Sequence, residues 1–264
     1  MKAHAQRSIG RLVGIMVIIV VAGIFIARSY YGNLNRSVDP RIKNARELYE
    51  KYDSYARVGD YYRIFDLLDS IFVIYRGVPH YAEAYELGVL HNNRAAALLT
   101  IALYGDSIPE SANPFFELPD DSIVAMAELN IRTAIGLYNG WNMRFDGKDD
   151  EEIKVMIEAE FMDGLKDTYP DMAPRYLDTR VKEILKAQLE NKRRLSVCHT
   201  NLGLVHRLRE EYTEAVAEYE MALSLWERNL DAENNLNKLL GRPLKKRNII
   251  QKLFPPAKEL SNKK

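Results

Sequence analysis

The histidines are the side chains of this sequence whose type and spacing come nearest to a reactive or metal-binding site. His199 and His206 lie seven positions apart in a segment of helical periodicity, so both fall on one helix face. At about 1.5 Å per residue they stand roughly 10 Å apart along the axis, whereas zinc holds a histidine nitrogen at about 2.0–2.1 Å. One metal ion cannot join them. With His91 in a similar sequence context, we expect all three to be packing residues.

The remaining reactive groups also favour a structural interpretation. Cys198 is the only cysteine, which excludes an internal disulfide, a CxxC redox pair and a thiolate zinc cluster built by one chain. The sequence has no glycine-rich phosphate loop, no H-E-x-x-H and no G-x-S-x-G motif. Acidic pairs such as Asp120-Asp121 and Glu210-Glu211 stand at predicted helix starts, where capping explains them. We therefore expect no catalytic residue, no cofactor and no metal site.

Charge is distributed unevenly along the 264 residues, although the formal net charge is zero. Residues 1–28 carry net +4, residues 29–241 net −11 and residues 242–264 net +7. A nucleic-acid-binding core needs a basic surface for phosphate, so the acidic body argues against nucleic acid as a partner. The hydrophobic content of 47% and charged content of 28% are those of a folded chain and exclude a wholly disordered one.

An uncharged apolar run, Leu12–Ala27, lies between two arginines near the start of the sequence. As a helix it reaches about 24 Å against a hydrocarbon core of about 30 Å, and flanking arginines and tyrosines can extend the span. A cleaved signal peptide is the alternative, but its only cleavage triplet, Ala27-Arg28-Ser29, has arginine at the centre. A buried core helix would show a polar stripe, which is absent. We expect a retained signal anchor over 12–31.

The flanks of this segment indicate its orientation. Residues 1–11 are short and basic, and such a tail before a first span normally stays in the cytoplasm. Residues 29–264 would then lie outside, in the periplasm of a Gram-negative-type bacterium. The predicted location is the inner (cytoplasmic) membrane, crossed once.

The rest of the chain has the apolar spacing of helices. Between 40 and 254 apolar residues recur at three and four positions, as in Ile64, Leu67, Leu68 and Ile71, and no run alternates as a strand does. The sequence therefore predicts an all-α fold of antiparallel helix pairs. Predicted boundaries fall at Pro40, Gly59, Asp60, Gly77, Gly105 and Asn139-Gly140, and later helices at about 149–167, 175–209, 212–229 and 231–240.

The segment 201–223, NLGLVHRLREEYTEAVAEYEMAL, resembles the tetratricopeptide repeat (TPR), a helix–turn–helix unit of about 34 residues. The resemblance assigns a large–small pair to the first helix, an aromatic to the turn, and a small–aromatic–small series to the second helix. The sequence departs from the TPR pattern at His199, His206 and Glu227. The residues assigned to repeat packing are Leu202, Gly203, Tyr212, Ala215, Tyr219 and Ala222, and Leu236 falls 34 residues after the first.

The N-terminal half repeats this pattern weakly. Leu87-Gly88 parallels Leu202-Gly203, and Thr100–Leu103 parallels the second-helix series five residues too early, which predicts a shortened turn between them. The predicted organisation is the tail and anchor (1–11, 12–31), degenerate TPR-like pairs (40–141), a non-repeat helical brace (142–194), a C-terminal repeat with a capping helix (195–241) and a basic tail (242–264).

The resemblance implies a non-enzymatic scaffold that binds other proteins of an envelope assembly, such as a secretion system, the division machinery or a flagellar-motor collar. A homo-oligomer is compatible with this reading, and the net −11 body suggests basic partners. The basic tail could contact anionic lipid, an acidic partner or its own acidic body. Candidate partner-binding residues are Asn201, Leu204 and Arg207 on the open helix face, and Phe115 and Phe116 in a Pro-bounded loop.

Two other functions fit the same sequence. One is a membrane-tethered enzyme with an acid-only or metal-dependent site in 142–194, a segment rich in acids that lacks histidine. The other is a periplasmic chaperone that holds hydrophobic clients. Phe115, Phe116 and Trp141 would then be the contacts. A closed pocket with convergent acids would favour the enzyme, and a groove lined by repeat helices would favour the scaffold.

Overall fold

The computed structural model describes residues 38–246, and all the regular structure in that range is helical. The prediction of an all-α fold is confirmed for this part of the chain. Short 3₁₀ turns follow α3 at Pro79–Tyr81 and follow α4 at Gly105–Ser107 and Glu110–Ala112. The helices are α1 (Lys43–Tyr49), α2 (Tyr52–Val58), α3 (Tyr61–Arg76), α4 (Tyr85–Tyr104), α5 (Asp120–Phe145), α6 (Asp150–Met162), α7 (Leu165–Thr168), α8 (Ala173–Leu208), α9 (Tyr212–Leu225) and α10 (Leu230–Leu239).

Most helix ends coincide with the residues that the sequence marks. Gly59 ends α2 with a left-handed φ of +69°, which glycine adopts without strain. Asp60 caps α3 by accepting a hydrogen bond of 3.1 Å from the Arg63 backbone N–H. Asp149 and Glu152 form a reciprocal capping box at the start of α6. Side-chain chemistry at these positions therefore sets where the helices begin and end.

Several predicted boundaries are wrong. The predicted helices 149–167 and 212–229 are too long, since α6 ends at Met162 and α9 at Leu225. Two predicted breaks lie inside continuous helices. Asn139-Gly140 lies inside α5, which continues to Phe145 because Trp141 and Phe145 carry its buried face onward into the core. The Thr100–Leu103 series belongs to α4 itself, so no shortened turn separates it from Leu87-Gly88. A single glycine costs a helix only about 1 kcal/mol relative to alanine, which continued packing offsets.

The longest helix, α8, organises the fold. It packs against α4, α5, α6, α9 and α10. The pairs α4/α5 and α8/α9 are antiparallel, because contacts further along one helix meet residues further back on the other. Gly88 and His91 meet Tyr138 and Asn130, and Ser196 and Gly203 meet Ala222 and Tyr219. One core extends from Ile42 to Val205, and a smaller one joins α9 to α10 through Ala215, Tyr219 and Leu236.

The predicted brace and the predicted C-terminal repeat share this helix. The boundary between 194 and 195 falls inside α8, which runs unbroken from Ala173 to Leu208. Asp178 in its first half contacts Lys154 of α6, and Ser196 and Gly203 in its second half contact α9, so one continuous helix joins the two regions.

The predicted anchor at 12–31 lies outside the described residues. Within 38–246, no helix is both long enough and apolar enough to cross a bilayer. The basic tail is described only as far as Lys246. Its first residues turn back along α10, where Lys245 exchanges two backbone hydrogen bonds with the Asn234 side chain and pairs with Glu233 at 2.5 Å.

Candidate functional site

The pair α8/α9 is held together by close contact between a glycine and a tyrosine ring. A Cβ atom built on Gly203 would lie 2.6 Å from Tyr219 Cε1, closer than real Cβ contacts approach. The ring is completely buried, as are Ala215 and Ala222 on the same helix. Leu202 is buried as well. Tyr212, which the resemblance places at the turn, is 54% exposed instead.

The pair α4/α5 contains the same type of contact with a different partner. A Cβ on Gly88 would lie 2.7 Å from Tyr138 Cε1, and Leu87 beside it is buried. Tyr138 is near the end of α5, fifty positions along the chain, and not in the segment that sequence spacing indicated. Each antiparallel pair thus uses a glycine to admit a tyrosine from the opposing helix.

Buried polar groups fix the register of α8 against α9 and α10. Ser196 Oγ donates to the Ala222 carbonyl at 2.6 Å. The Asn229 amide donates to Ser196 Oγ at 2.9 Å and to Thr200 Oγ1 at 2.8 Å, while its oxygen caps α10. These bonds satisfy groups that would otherwise be buried without partners, so they favour one register of the helices over others.

His91, His199 and His206 each have a polar partner within the chain. His199 Nδ1 is 2.6 Å from Glu218, His206 Nδ1 is 2.6 Å from Glu211, and His91 Nδ1 is 2.8 Å from Asn130. Cys198 is fully buried, and burial raises the pKa of its thiol to about 12. Within residues 38–246 no group of three or more His, Cys, Asp or Glu side chains could hold a metal ion.

The three residues predicted to form an open face of α8 contact other helices. Asn201 Nδ2 donates to Asn92 Oδ1 of α4 at 2.9 Å, and Arg207 Nη1 donates to Asn235 Oδ1 of α10 at 3.1 Å. Leu204 is half-buried against the main core. Arg207 also lines a surface groove.

The aromatic candidates divide between core and surface. Phe115 packs edge-on against Phe65 with ring centroids 4.9 Å apart, so it tucks into its own chain. Phe116, next to it, is 54% exposed. Trp141 is 4% exposed and packs against Tyr85. Of the three, Phe116 alone presents an exposed ring.

A groove of about 840 Å³ lies between the start of α9 and the end of α10. Its apolar surface comes from Tyr212, Val216, Leu239 and Leu240, and its cations are Arg207 and Lys238. Tyr212 and Leu240 are among the exposed large apolar side chains of the described chain. This groove is called the end groove below.

A second site, which the sequence did not indicate, is a buried ionic cluster centred on Arg180. Arg180 is 2% exposed. Its Nη1 donates to Glu86 Oε1 at 2.5 Å and its Nε donates to His80 Nε2 at 2.9 Å. Its guanidinium also lies 4.4 Å from the centre of the Tyr81 ring. Glu183 completes the cluster and pairs with Arg46 at 2.6 Å.

The cluster fixes the protonation of its members. Burial, and then the charge of Arg180, lowers the pKa of His80 to about 2, so the imidazole is neutral. Because Nε2 accepts from Arg180, the proton is on Nδ1, and that N–H has no hydrogen-bond partner within the described residues. Burial acts to lower the pKa of Arg180, but the combined electrostatic effect of Glu86, Tyr81, Tyr85 and Glu183 is larger, and the pKa is raised. The resulting N–H of His80 is an unused donor.

Chain separation explains why sequence reasoning missed this cluster. His80 and Glu86 lie 100 and 94 positions from Arg180, and no local motif marks any of them. The one available signal is an arginine, Arg180, on the apolar stripe of α8 between Leu177 and Ile184, where an isolated charge would be costly.

No protein-family model matches this chain, and neither a curated protein nor a solved structure matches it significantly.

Proposed function

We propose that this protein is a membrane-anchored scaffold whose α8–α10 region is a TPR-like unit that binds a segment of another protein. The Gly203–Tyr219 contact carries the proposal, because the TPR resemblance requires a small residue where the second-helix aromatic inserts. The end groove beyond α9 and α10 supports it, since a helical repeat with an uncovered end has apolar surface to offer.

The chemistry of the end groove specifies the partner more narrowly than net charge does. The body is acidic, but the groove itself combines apolar side chains with Arg207 and Lys238. A partner segment with apolar anchors and an acidic flank therefore fits it better than a basic one. The same reasoning disfavours the chain's own C-terminal segment as the occupant of the end groove, since residues 242–264 carry net +7.

We expect the double variant Tyr212→Ala, Lys238→Glu to lose partner binding by at least about tenfold, because one exposed aromatic anchor and one rim charge are removed together. The measurement is crosslinking of the full-length protein in its native membrane, followed by quantitative mass spectrometry of the captured proteins. Stability should change little, since both side chains are exposed.

A matched control makes the same two changes elsewhere. Tyr104→Ala, Lys192→Glu alters an exposed tyrosine at the end of α4 and an exposed lysine on α8, both outside the end groove. The control should retain its partners. Equal recovery of partners by both variants would remove the end groove from the proposal.

The anchor is part of the same proposal and has its own test. We expect the mature protein to retain residues 12–31, because Ala27-Arg28-Ser29 is a poor cleavage site. The intact mass of the protein purified from membranes measures this directly. A mature chain beginning near Tyr30 would contradict the signal anchor and leave the scaffold without its attachment to the inner membrane.

A further inference from the structure

A pocket of about 310 Å³ opens beside the ionic cluster, between α5, α8 and the 3₁₀ turn after α3. It is separate from the end groove. Trp141 and Phe145 form an aromatic wall, and both are nearly buried. Gly136 and Gly140 expose helix backbone on the α5 side, while His80, Glu83 and Arg144 supply polar groups. This volume is at the lower end of the range for small-molecule sites.

The two glycines of this pocket have no packing role. A Cβ on Gly136 or on Gly140 would meet no atom within 4 Å, whereas one on Gly88 or Gly203 would collide with a tyrosine ring. Both positions are inside a helix, where glycine is the poorest residue after proline. Their effect on the structure is to leave space, four positions apart, along one wall of the pocket.

Two of the residues that line the pocket direct donors at one carboxylate. His80 Nδ1 and Arg144 Nη2 lie 3.7 and 3.6 Å from the same atom, Glu160 Oε2, beyond hydrogen-bond distance in both cases. His80 is 7% exposed and its Nδ1 has no partner within the described chain. The Glu160 side chain is 42% exposed. The two donors form a carboxylate-binding site, and Glu160 occupies it without a hydrogen bond to either donor.

The rim also carries an acid. Glu83 is exposed, lines the pocket and forms no ion pair or hydrogen bond with another described residue. It would repel a simple anion but attract an ammonium group, so charge complementarity favours a ligand with one charge of each sign.

We propose that this pocket binds a free aromatic amino acid. Its carboxylate displaces Glu160 and accepts hydrogen bonds from His80 Nδ1–H and Arg144. Its ammonium group pairs with Glu83, and its ring lies against Trp141 in the space left by the two glycines. Nothing in this binding mode involves α9, α10 or the end groove.

The test is titration of the full chain with L-phenylalanine, followed by NMR of the Trp141 indole N–H, which the Trp226→Phe variant assigns. We expect a saturable shift. The analogues 3-phenylpropanoate and phenethylamine, which lack the ammonium and the carboxylate respectively, should each bind at least about tenfold more weakly, as expected for loss of a charge-assisted hydrogen bond. No saturable shift, or equal binding of all three compounds, would overturn the proposal.

Three variants locate the site. Gly140→Leu should abolish the shift by filling the pocket, while Gly105→Leu, made where a Cβ also meets open space, should leave it unchanged. Glu160→Gln should tighten binding several-fold, because the competing carboxylate is gone while the donors remain. Unchanged binding by Gly140→Leu in a protein with native circular dichroism would place the ligand elsewhere and reject this pocket. Weaker binding by Glu160→Gln would contradict binding of the ligand carboxylate by His80 and Arg144.

Discussion

Replacing Arg180 with methionine is expected to lower the free energy of unfolding by about 3–5 kcal/mol, the effect of breaking a buried ion pair from one side. Arg180 is 2% exposed and supplies the hydrogen bonds of 2.5 Å to Glu86 and 2.9 Å to His80. Methionine matches the apolar part of the side chain but leaves the Glu86 carboxylate, itself 9% exposed, without its cation. Denaturant unfolding followed by circular dichroism measures the change.

A second substitution separates lost charge pairing from lost packing. In the double variant Arg180→Met, Glu86→Leu, most of the lost stability should return, because apolar replacement of both partners of a buried ion pair is often neutral or stabilising. Glu183 keeps Arg46 as a partner in either variant. Lys154→Met, which breaks the exposed pair with Asp178, should have no measurable effect. A single variant as stable as the parent would mean that the cluster contributes nothing to folding.

Local features of the fold were predictable because their causes are local. Gly59, Asp60 and Asp149 mark helix ends by backbone freedom or by a bond to the next turn, and the structure places all three as expected. The α8/α9 pair was also predictable, since Gly203 and Tyr219 are sixteen positions apart on consecutive helices. In such cases the interacting groups and their spacing can be read from one short segment.

Features formed by distant segments were not predictable in this way. The partner of Gly88 is Tyr138, across a long connection. The spacing of the α8/α9 pair, applied to Gly88, therefore indicated the wrong segment, Thr100–Leu103. The segment 142–194 lacks histidine, yet folding brings His80 to Arg180 within it. Phe115 and Phe116 are the same residue type, and the contact with Phe65 makes Phe115 the half-buried one while Phe116 stays exposed. Each outcome depends on tertiary packing that a single sequence does not encode locally.

The glycines provide the second large expected effect. Gly203→Leu should destabilise the α8/α9 pair by about 1–3 kcal/mol, because the leucine must displace the buried Tyr219 ring. A Cβ at position 203 would lie 2.6 Å from Tyr219 Cε1. Up to about 1 kcal/mol of helix propensity gained on replacing glycine offsets part of this loss. Gly88→Leu should behave similarly against Tyr138. Thermal or denaturant unfolding of each variant gives the change.

The same chain offers a control of opposite sign. Gly136→Ala and Gly140→Ala add a methyl group where nothing lies within 4 Å, so each should stabilise the protein by about 0.4–1 kcal/mol through reduced backbone freedom. All four positions are in helices, so helix propensity alone predicts stabilisation at every one of them. Loss of stability at Gly88 and Gly203 with a gain at Gly136 and Gly140 would show that ring insertion fixes the first two. A gain at Gly203 as well would mean that α8 and α9 do not pack as a TPR-like pair requires, and the scaffold proposal would lose its main support.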